Sequence, residues 1–301
     1  ITFYSLLYFS EIDINPNLSK FHRKNKDNIY IHNALNLKYS LQKQNLKYVL
    51  LTNNKKKIQK EVGSEIEVKQ IYFKKIFKKK IDFYSAHFKI DVFNYLSKQK
   101  QTSCLLDIDM LAINRFNKYL LYASKNNINL VYNLNKGKDK NLNKKILKTL
   151  KLCNDKEDNT HDWYGGEFLF GNSKFFKSIY KNIKLILPNY KKNLKNLHHI
   201  GDETLLNSSL QIIRKNNKKK FLETNNRKIV SRFWSINTIA KQKNINFHIK
   251  NFLIHLPGDK VFLSKIDIKT KNYNEIKMQY LRYYNSPKKR ILEKIKKFLN
   301  F

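Results

Sequence analysis

Asp107-Ile108-Asp109 closes the apolar run Ser103-Cys104-Leu105-Leu106, so two carboxylates one residue apart stand where a strand should end. Such a pair delivers hard oxygen ligands to the rim of a sheet. It suits Mg²⁺ or Mn²⁺, which bind through one or two carboxylates and complete their shell with water and substrate phosphates. In open α/β sheets, ligands sit outside the carboxyl ends of the strands. The chemistry implied is the handling of a nucleotide diphosphate. Asp-x-Asp also serves as a turn or a helix cap, but the apolar strand in front of it and the segments downstream favour the metal reading.

Positioning such a pair requires a buried sheet, and the sequence alternates accordingly. Ile1 to Phe9 and Tyr48 to Thr52 read as buried strands, Ile66 to Phe73 as a third, and Thr102 to Asp107 as the one that carries the acids. Helical spacing covers Ile29 to Asn45 and Phe83 to Ser97. This is the βαβ pattern of a mostly parallel sheet. Further on, Ile128 to Leu134, Gly165 to Gly171, Ile229 to Trp234 and Phe247 to His255 read as strands. Lys136 to Asn143 reads as a loop, Leu142 to Cys153 and Asp202 to Lys215 as helices, and Ser173 as a helix cap. Residues 266–301 hold two helical stretches separated by Asn285-Ser286-Pro287. The last puts Ile291, Ile295, Phe298 and Leu299 on one stripe among Lys288, Lys289, Arg290, Lys294, Lys296 and Lys297. A basic amphipathic helix of this kind either lies in an anionic membrane interface or docks on the domain with its charges in solvent.

At 301 residues, 41% hydrophobic and 13% aromatic, the chain can bury a sizeable core. It has no run of eighteen apolar residues, and Ile1 to Phe9 lacks a basic leader and a cleavage site, so neither a membrane span nor a secretory signal is expected. Cys104 and Cys153 have no metal-type spacing and fit a reducing, cytoplasmic setting. The net charge of +38 points first to nucleic acid. Yet the excess is Lys scattered along the whole chain beside many Asn and Ile residues, a trio that an AT-rich coding bias produces. No helix-turn-helix, zinc-finger or RNA-binding signature accompanies it. The expected partners are phosphates, nucleotides and anionic surfaces in general, and no specific nucleic acid.

Four segments in order carry a family resemblance over residues 1–262. Leu105-Leu106-Asp107-Ile108-Asp109 resembles the Asp-x-Asp segment of GT-A-fold glycosyltransferases. Trp163-Tyr164-Gly165-Gly166-Glu167-Phe168-Leu169-Phe170-Gly171 resembles their acceptor-side strand. Gly201-Asp202-Glu203-Thr204-Leu205-Leu206-Asn207 resembles the acidic helix start of retaining members, blood-group-type galactosyltransferases included. His255-Leu256-Pro257-Gly258-Asp259-Lys260 resembles the His-x-x-Gly...Lys segment of glycogenin-like and lipopolysaccharide-type transferases, with a His-to-Lys spacing one residue shorter.

The resemblance implies a GT-A-like, Rossmann-like α/β domain over residues 1–265, a mostly parallel mixed sheet flanked by helices, with a basic helical extension over 266–301. It implies Mn²⁺ or Mg²⁺ held by Asp107, Asp109 and His255, with Asp107 also near the donor's ribose and sugar. Lys260 is the implied diphosphate contact and Lys89 a phosphate or sugar contact, while Tyr4, Ser5 and Thr52 stand where the nucleotide base would lie. Gly165, Gly166 and Glu167 are the implied acceptor side, although Glu167 also reads as an ordinary exposed strand residue. Asp202 and Glu203 are the catalytic candidates, able to stabilise an oxocarbenium-like state or to act as a nucleophile, and Asp202 reads equally as a helix cap. The expected activity is metal-dependent transfer of a sugar from a nucleotide-diphosphate donor, UDP-linked, to a glycan or lipid-linked acceptor with retention, in surface polysaccharide or lipooligosaccharide synthesis. The expected place is the cytoplasm, at the inner face of a membrane. The alternatives are a nucleotidyltransferase, against which Ser10 to Asn17 offers no Gly-rich phosphate loop, and a basic nucleic-acid-binding protein without catalysis.

Overall fold

The computed structural model describes residues 1–10, 20–77, 81–134, 140–154, 162–216, 220–235, 242–287, 289 and 291. In chain order the elements begin with β1 (Thr2–Leu7), α1 (Lys26–Gln42), β2 (Lys47–Thr52), α2 (Lys55–Val62), β3 (Val68–Gln70) and α3 (Lys89–Leu96). Then come β4 (Ser103–Leu106), β5 (Met110–Ala112), α4 (Lys118–Lys125), β6 (Leu130–Asn133), α5 (Lys140–Cys153) and β7 (Tyr164–Gly171). The rest are α6 (Ser173–Lys192), α7 (Asp202–Asn216), β8 (Leu222–Glu223), β9 (Val230–Arg232), α8 (Ile245–His248), β10 (Leu253–His255), α9 (Lys260–Leu263) and α10 (Tyr273–Asn285). Two compact units emerge, each discontinuous in sequence. The first draws on Ile1–Pro16, Lys47–Asp107 and Lys118–Arg227, the second on Asn17–Leu46, Ile108–Asn117 and Lys228–Phe301.

The first unit is built on a seven-stranded sheet in the order β3-β2-β1-β4-β7-β6-β8. β1 to β4 run parallel, and β7 runs antiparallel to both β4 and β6, which makes the sheet mixed. All four residues of β4 are buried, as are all eight of β7. A strand covered on both faces needs a continuous apolar run rather than alternation, and Ser103 to Leu106 supplies one. Val92 and Phe93 of α3, Phe175, Phe176 and Ile179 of α6, and Leu205 and Leu206 of α7 pack on Val49, Leu105 and Leu169. This is the α/β architecture with a mostly parallel mixed sheet that the sequence pattern implies. Both cysteines are free and buried, Cys104 in β4 itself.

The second unit holds a three-stranded sheet in the order β5-β10-β9, with β5 antiparallel and β9 parallel to β10. Leu111, Ile254 and Leu256 share a core with Ile266, Ile268, Ile276 and Tyr280. Residues 266–285, expected as the start of an extension, thus contribute to the second unit's own core, and no boundary between compact units falls at residue 265. α10 starts on a capping box, in which the Asn272 side chain accepts from Glu275 N–H while Glu275 accepts from Asn272 N–H. The stripe Ile295, Phe298 and Leu299 lies outside the described residues; Ile291, its first member, is exposed. No helix among the described residues is long and apolar enough to cross a membrane.

Three local expectations give way to backbone chemistry. Phe247 and His248 are not the start of a strand but lie in the helical turn α8, because the Asn244 side chain accepts from Asn246 N–H and turns the chain there. Asn172, not Ser173, caps α6: its side chain accepts the Phe175 N–H at 3.0 Å, and both residue types can do this. The expected loop over Lys136 to Asn143 is shorter, since α5 already begins at Lys140 and 135–139 lie outside the described residues.

Candidate functional site

In the first unit, four elements converge on one ammonium group. Lys89, the first residue of α3, is buried, and its Nζ lies 2.7 Å from Asp107 Oδ1, 2.7 Å from Asp202 Oδ2 and 2.9 Å from the Gly166 carbonyl. Asp107 follows β4 directly, and its N–H donates to the Glu167 carbonyl on β7 at 3.2 Å, which extends the β4–β7 ladder and fixes its backbone. Asp202 opens α7. The ammonium thus donates to the Gly166 carbonyl and stands at ion-pair distance from both carboxylates. Burial pulls the Lys89 ammonium down, but Asp107 and Asp202 outweigh it and hold the group above the ordinary lysine value. Lys89, the expected phosphate or sugar contact, bridges two carboxylates here, and Asp202 is an ion-pair partner as well as a helix start.

Gly166 is required by this bridge. A Cβ there would stand 2.4 Å from Asp202 Oδ2 and 3.2 Å from Lys89 Nζ. Gly166→Ala is therefore expected to push the Asp202 carboxylate off Lys89 and to cost on the order of 2 kcal/mol, read as a lower urea midpoint at unchanged slope. Gly165 meets a similar constraint, because a Cβ would collide with the carboxylate of Glu167. Glu167 is fully buried on β7, so the exposed reading of that residue is wrong; a strand covered on both faces has no solvent side.

Glu203 follows Asp202 and accepts from Trp163 Nε1 at 2.9 Å and from Gly166 N–H at 3.5 Å. One turn on, Asn207 pairs with the Tyr164 backbone in both directions, accepting at 2.6 Å and donating at 2.8 Å. Together they fasten α7 to the start of β7. Trp163 and Asn207 stood inside the quoted motifs without a role; the four-residue spacing of Glu203 and Asn207 along one helix face is the signal that pairs them. A second fastening was not visible in the sequence. His87, two residues before α3, contacts the Tyr190 hydroxyl of α6 at 2.7 Å and the Phe83 carbonyl at 3.0 Å. Burial pulls the His87 imidazole below its ordinary value. With Nδ1–H donating to the carbonyl, Nε2 accepts from Tyr190.

The expected base contacts are placed differently. Tyr4 and Ser5 lie in the middle of β1, buried, with Tyr4 edge-on to Tyr95 inside the core. The apolar run continues past the strand's end, so its carboxyl edge is formed by Tyr8 and Phe9 instead. Tyr8 stacks on Phe88 with ring centroids 3.8 Å apart, and Phe9 exchanges two hydrogen bonds with the Asn53 side chain. Thr52 does close β2, where its hydroxyl accepts from Asn54 N–H at 3.1 Å.

In the second unit, Asp109, His255 and Lys260 form a buried cluster. Asp109 precedes β5 and His255 ends β10, and the antiparallel register of these strands sets His255 opposite Met110. The Asp109 carbonyl accepts from Leu256 N–H at 3.0 Å. His255 Nε2 lies 3.1 Å from Asp109 Oδ1, and Lys260 Nζ donates to Asp109 Oδ2 and, at 2.9 Å, to the Pro257 carbonyl. Burial pushes the Asp109 carboxyl up, but Lys260 and His255 outweigh it and hold it well below the ordinary carboxylate range. Asp109 and His255 each offer a ligand atom for a metal ion. The donor chemistry, carboxylate oxygen with imidazole nitrogen, fits Mn²⁺ well and Mg²⁺ less so. Ile108 alone separates Asp109 from Asp107, so covalent geometry limits their Cα atoms to about 7 Å.

No protein-family model and no curated protein matches the sequence. Solved structures do match. A structure of the galactosyltransferase LgtC in complex with donor and acceptor sugar analogs aligns with 93% of this chain and 100% of its own, at 11% identity and a TM-score of 0.50. The bifunctional glycosyltransferase WbbM aligns with 98% of this chain and 51% of its own, at 10% identity and a TM-score of 0.48. Mouse xyloside xylosyltransferase 1 aligns with 84% and 96%, at 10% identity and a TM-score of 0.46. The first of these carries the conclusion that the chain has a GT-A-like fold.

Proposed function

We propose that this chain is a metal-dependent glycosyltransferase that moves a sugar from a nucleotide-diphosphate donor to a glycan or lipid-linked acceptor. The observation that carries the reading is the approach of Asp109 to His255 at 3.1 Å across 146 residues of sequence, on a fold shared with a galactosyltransferase. Asp107, Asp109 and His255 would hold Mn²⁺ or Mg²⁺. When bound, the ion supplies Lewis-acid stabilisation of the negative charge that grows on the departing diphosphate. In the reaction the bond from the anomeric carbon to the phosphate oxygen breaks, an acceptor hydroxyl oxygen forms the new bond, and its proton is lost.

This chain's own residues do the rest. Lys260, beside Asp109, is the donor of a charge-assisted bond to the diphosphate. Glu203 and Asp202, fixed by Trp163 and Lys89, are the carboxylates for the sugar's β side, and Gly165 and Gly166 at the start of β7 mark the acceptor side. The donor in this reading is UDP-linked, and retention is supported by the likeness of the Gly201-Asp202-Glu203 and His255 segments to retaining enzymes. The net charge of +38 supports work at an anionic surface, where surface polysaccharide or lipooligosaccharide is assembled.

The test is incubation of the purified chain with UDP-, GDP- and CMP-sugars and Mn²⁺, reading release of the nucleotide and transfer of the sugar. Release of nucleoside diphosphate with one donor class is expected. Release of none, or tight salt-sensitive binding to any duplex without nucleotide-sugar affinity, would overturn the proposal.

Lys260 gives a sharper prediction. Its ammonium occupies an oxygen of Asp109 that the cation needs, and two positive charges on one carboxylate repel. Lys260→Met is expected to bind Mn²⁺ about tenfold tighter in the absence of donor, and to bind donor about tenfold more weakly in the presence of Mn²⁺, both by titration calorimetry. Weaker Mn²⁺ binding in the variant would contradict the assignment.

A further inference from the structure

Asp259 stands at the N-cap position of α9 and yet its side chain makes no cap hydrogen bond. An aspartate there ordinarily accepts from the second or third helical N–H. Here the carboxylate is turned inward and is 1% exposed. Oδ1 accepts from Ser235 Oγ at 2.5 Å, from Lys289 Nζ at 2.7 Å and from the Tyr283 hydroxyl at 3.1 Å. Oδ2 accepts from the Tyr280 hydroxyl at 2.9 Å. Oδ1 takes three of these donors and Oδ2 one, so both carboxylate oxygens are engaged. Three of them come from α10 and the segment just after it, and Lys289 is itself buried among the described residues.

The turn held this way is the one that presents the metal-side cluster. Asp259 N–H donates to the Leu256 carbonyl at 3.0 Å, and the Asp259 carbonyl accepts from Leu263 N–H at 2.9 Å. His255 immediately precedes this turn, and Lys260 immediately follows Asp259. α9 is only four residues long, so it has little stability of its own with which to hold Lys260 in place.

We propose that Asp259 is a positioning residue: it anchors the Leu256–Lys260 turn to Tyr280, Tyr283 and Lys289, and thereby makes the C-terminal arm part of the machinery that holds Lys260 on Asp109. The link to donor binding rests on the function proposed above; the anchoring itself does not. A carboxylate with this many tight partners tolerates neither loss of its charge nor loss of the buried ammonium opposite it.

The experiment uses the full chain with Lys289→Met, Lys289→Arg and Asp259→Asn, and two readouts. Amide hydrogen exchange at Leu263 and Ser264 is expected to rise at least tenfold in Lys289→Met relative to the amides of β9 and β10, and to return toward the parent in Lys289→Arg. With nucleotide sugar and Mn²⁺, kcat/KM is expected to fall about tenfold in Lys289→Met and to recover in Lys289→Arg. Exchange that is unchanged, or that rises equally across the whole second unit, overturns the positioning role whatever the activity. If the parent turns over no nucleotide sugar, the function proposed above fails while the exchange readout still decides this inference. Should Asp259→Asn not fold, the two Lys289 variants carry the test alone.

Discussion

Asp109→Asn is expected to lower donor turnover by about three orders of magnitude. The loss of one anionic metal ligand removes several kcal/mol of charge stabilisation from the departing diphosphate, and ~4 kcal/mol is ~10³ in rate. Shape is conserved, so the fold should persist at reduced stability. The variant leaves Lys260 and His255 against an amide, and breaking a buried pair costs on the order of 3 kcal/mol. The pH dependence has a definite sign. Because the Asp109 carboxyl is held well below the ordinary carboxylate range, the native chain binds fewer protons than the unfolded chain in acid. The stabilisation is therefore complete above the unfolded value near 4 and is lost as pH falls through the folded one. In metal-free urea titrations the gap between parent and variant should narrow as pH falls below about 4, and a gap that does not narrow there would contradict the assignment.

The second large effect belongs to Lys89. Lys89→Met removes the ammonium between Asp107 and Asp202 and strands two partly buried carboxylates beside the Gly166 carbonyl. The expected cost is about 3–5 kcal/mol in urea unfolding. Turnover should fall by about 10² even where the protein is fully folded, because Asp107 and Asp202 then lose their common anchor and a misplacement of 1 Å is enough. The double variant Lys89→Met with Asp202→Asn should regain part of the lost stability without regaining turnover. Simple additivity of the two changes would mean that the pair is not coupled.

Much of this arrangement was written in local sequence pattern. The apolar run of β4 and the acids behind it, the strand β7, the helix start at Asp202 and the strand end at His255 are all short-range signals, and the fold class follows from their alternation. Other features were not local. The direction of β7 against β4 is invisible to a periodicity of two, since a strand reads the same whichever way it runs. The burial of Glu167 follows from helices covering both faces of a strand, which the strand's own letters do not state. Tyr4 and Ser5 lie farther from an edge than the apolar run suggests, because apolar residues continue beyond Leu7, where the strand stops. Lys89 carries no local sign of its partners, and only the meeting of α3, β4, β7 and α7 gives it two carboxylates. Asp259 read as part of a motif between His255 and Lys260, while its partners Tyr280, Tyr283 and Lys289 come from later in the chain. Membership of residues 26–42 and 266–285 in the same compact unit is likewise a long-range fact that composition cannot carry.

In the function proposed above, an acid pair and a distant histidine hold a cation through which diphosphate is bound. Calorimetric titration of UDP into the purified chain, once with Mn²⁺ and once with a chelator, addresses it directly. Saturable binding is expected with Mn²⁺, weakening at least a hundredfold under chelation and in Asp109→Asn. UDP binding of equal strength with and without the metal, or no binding in either condition, would contradict it.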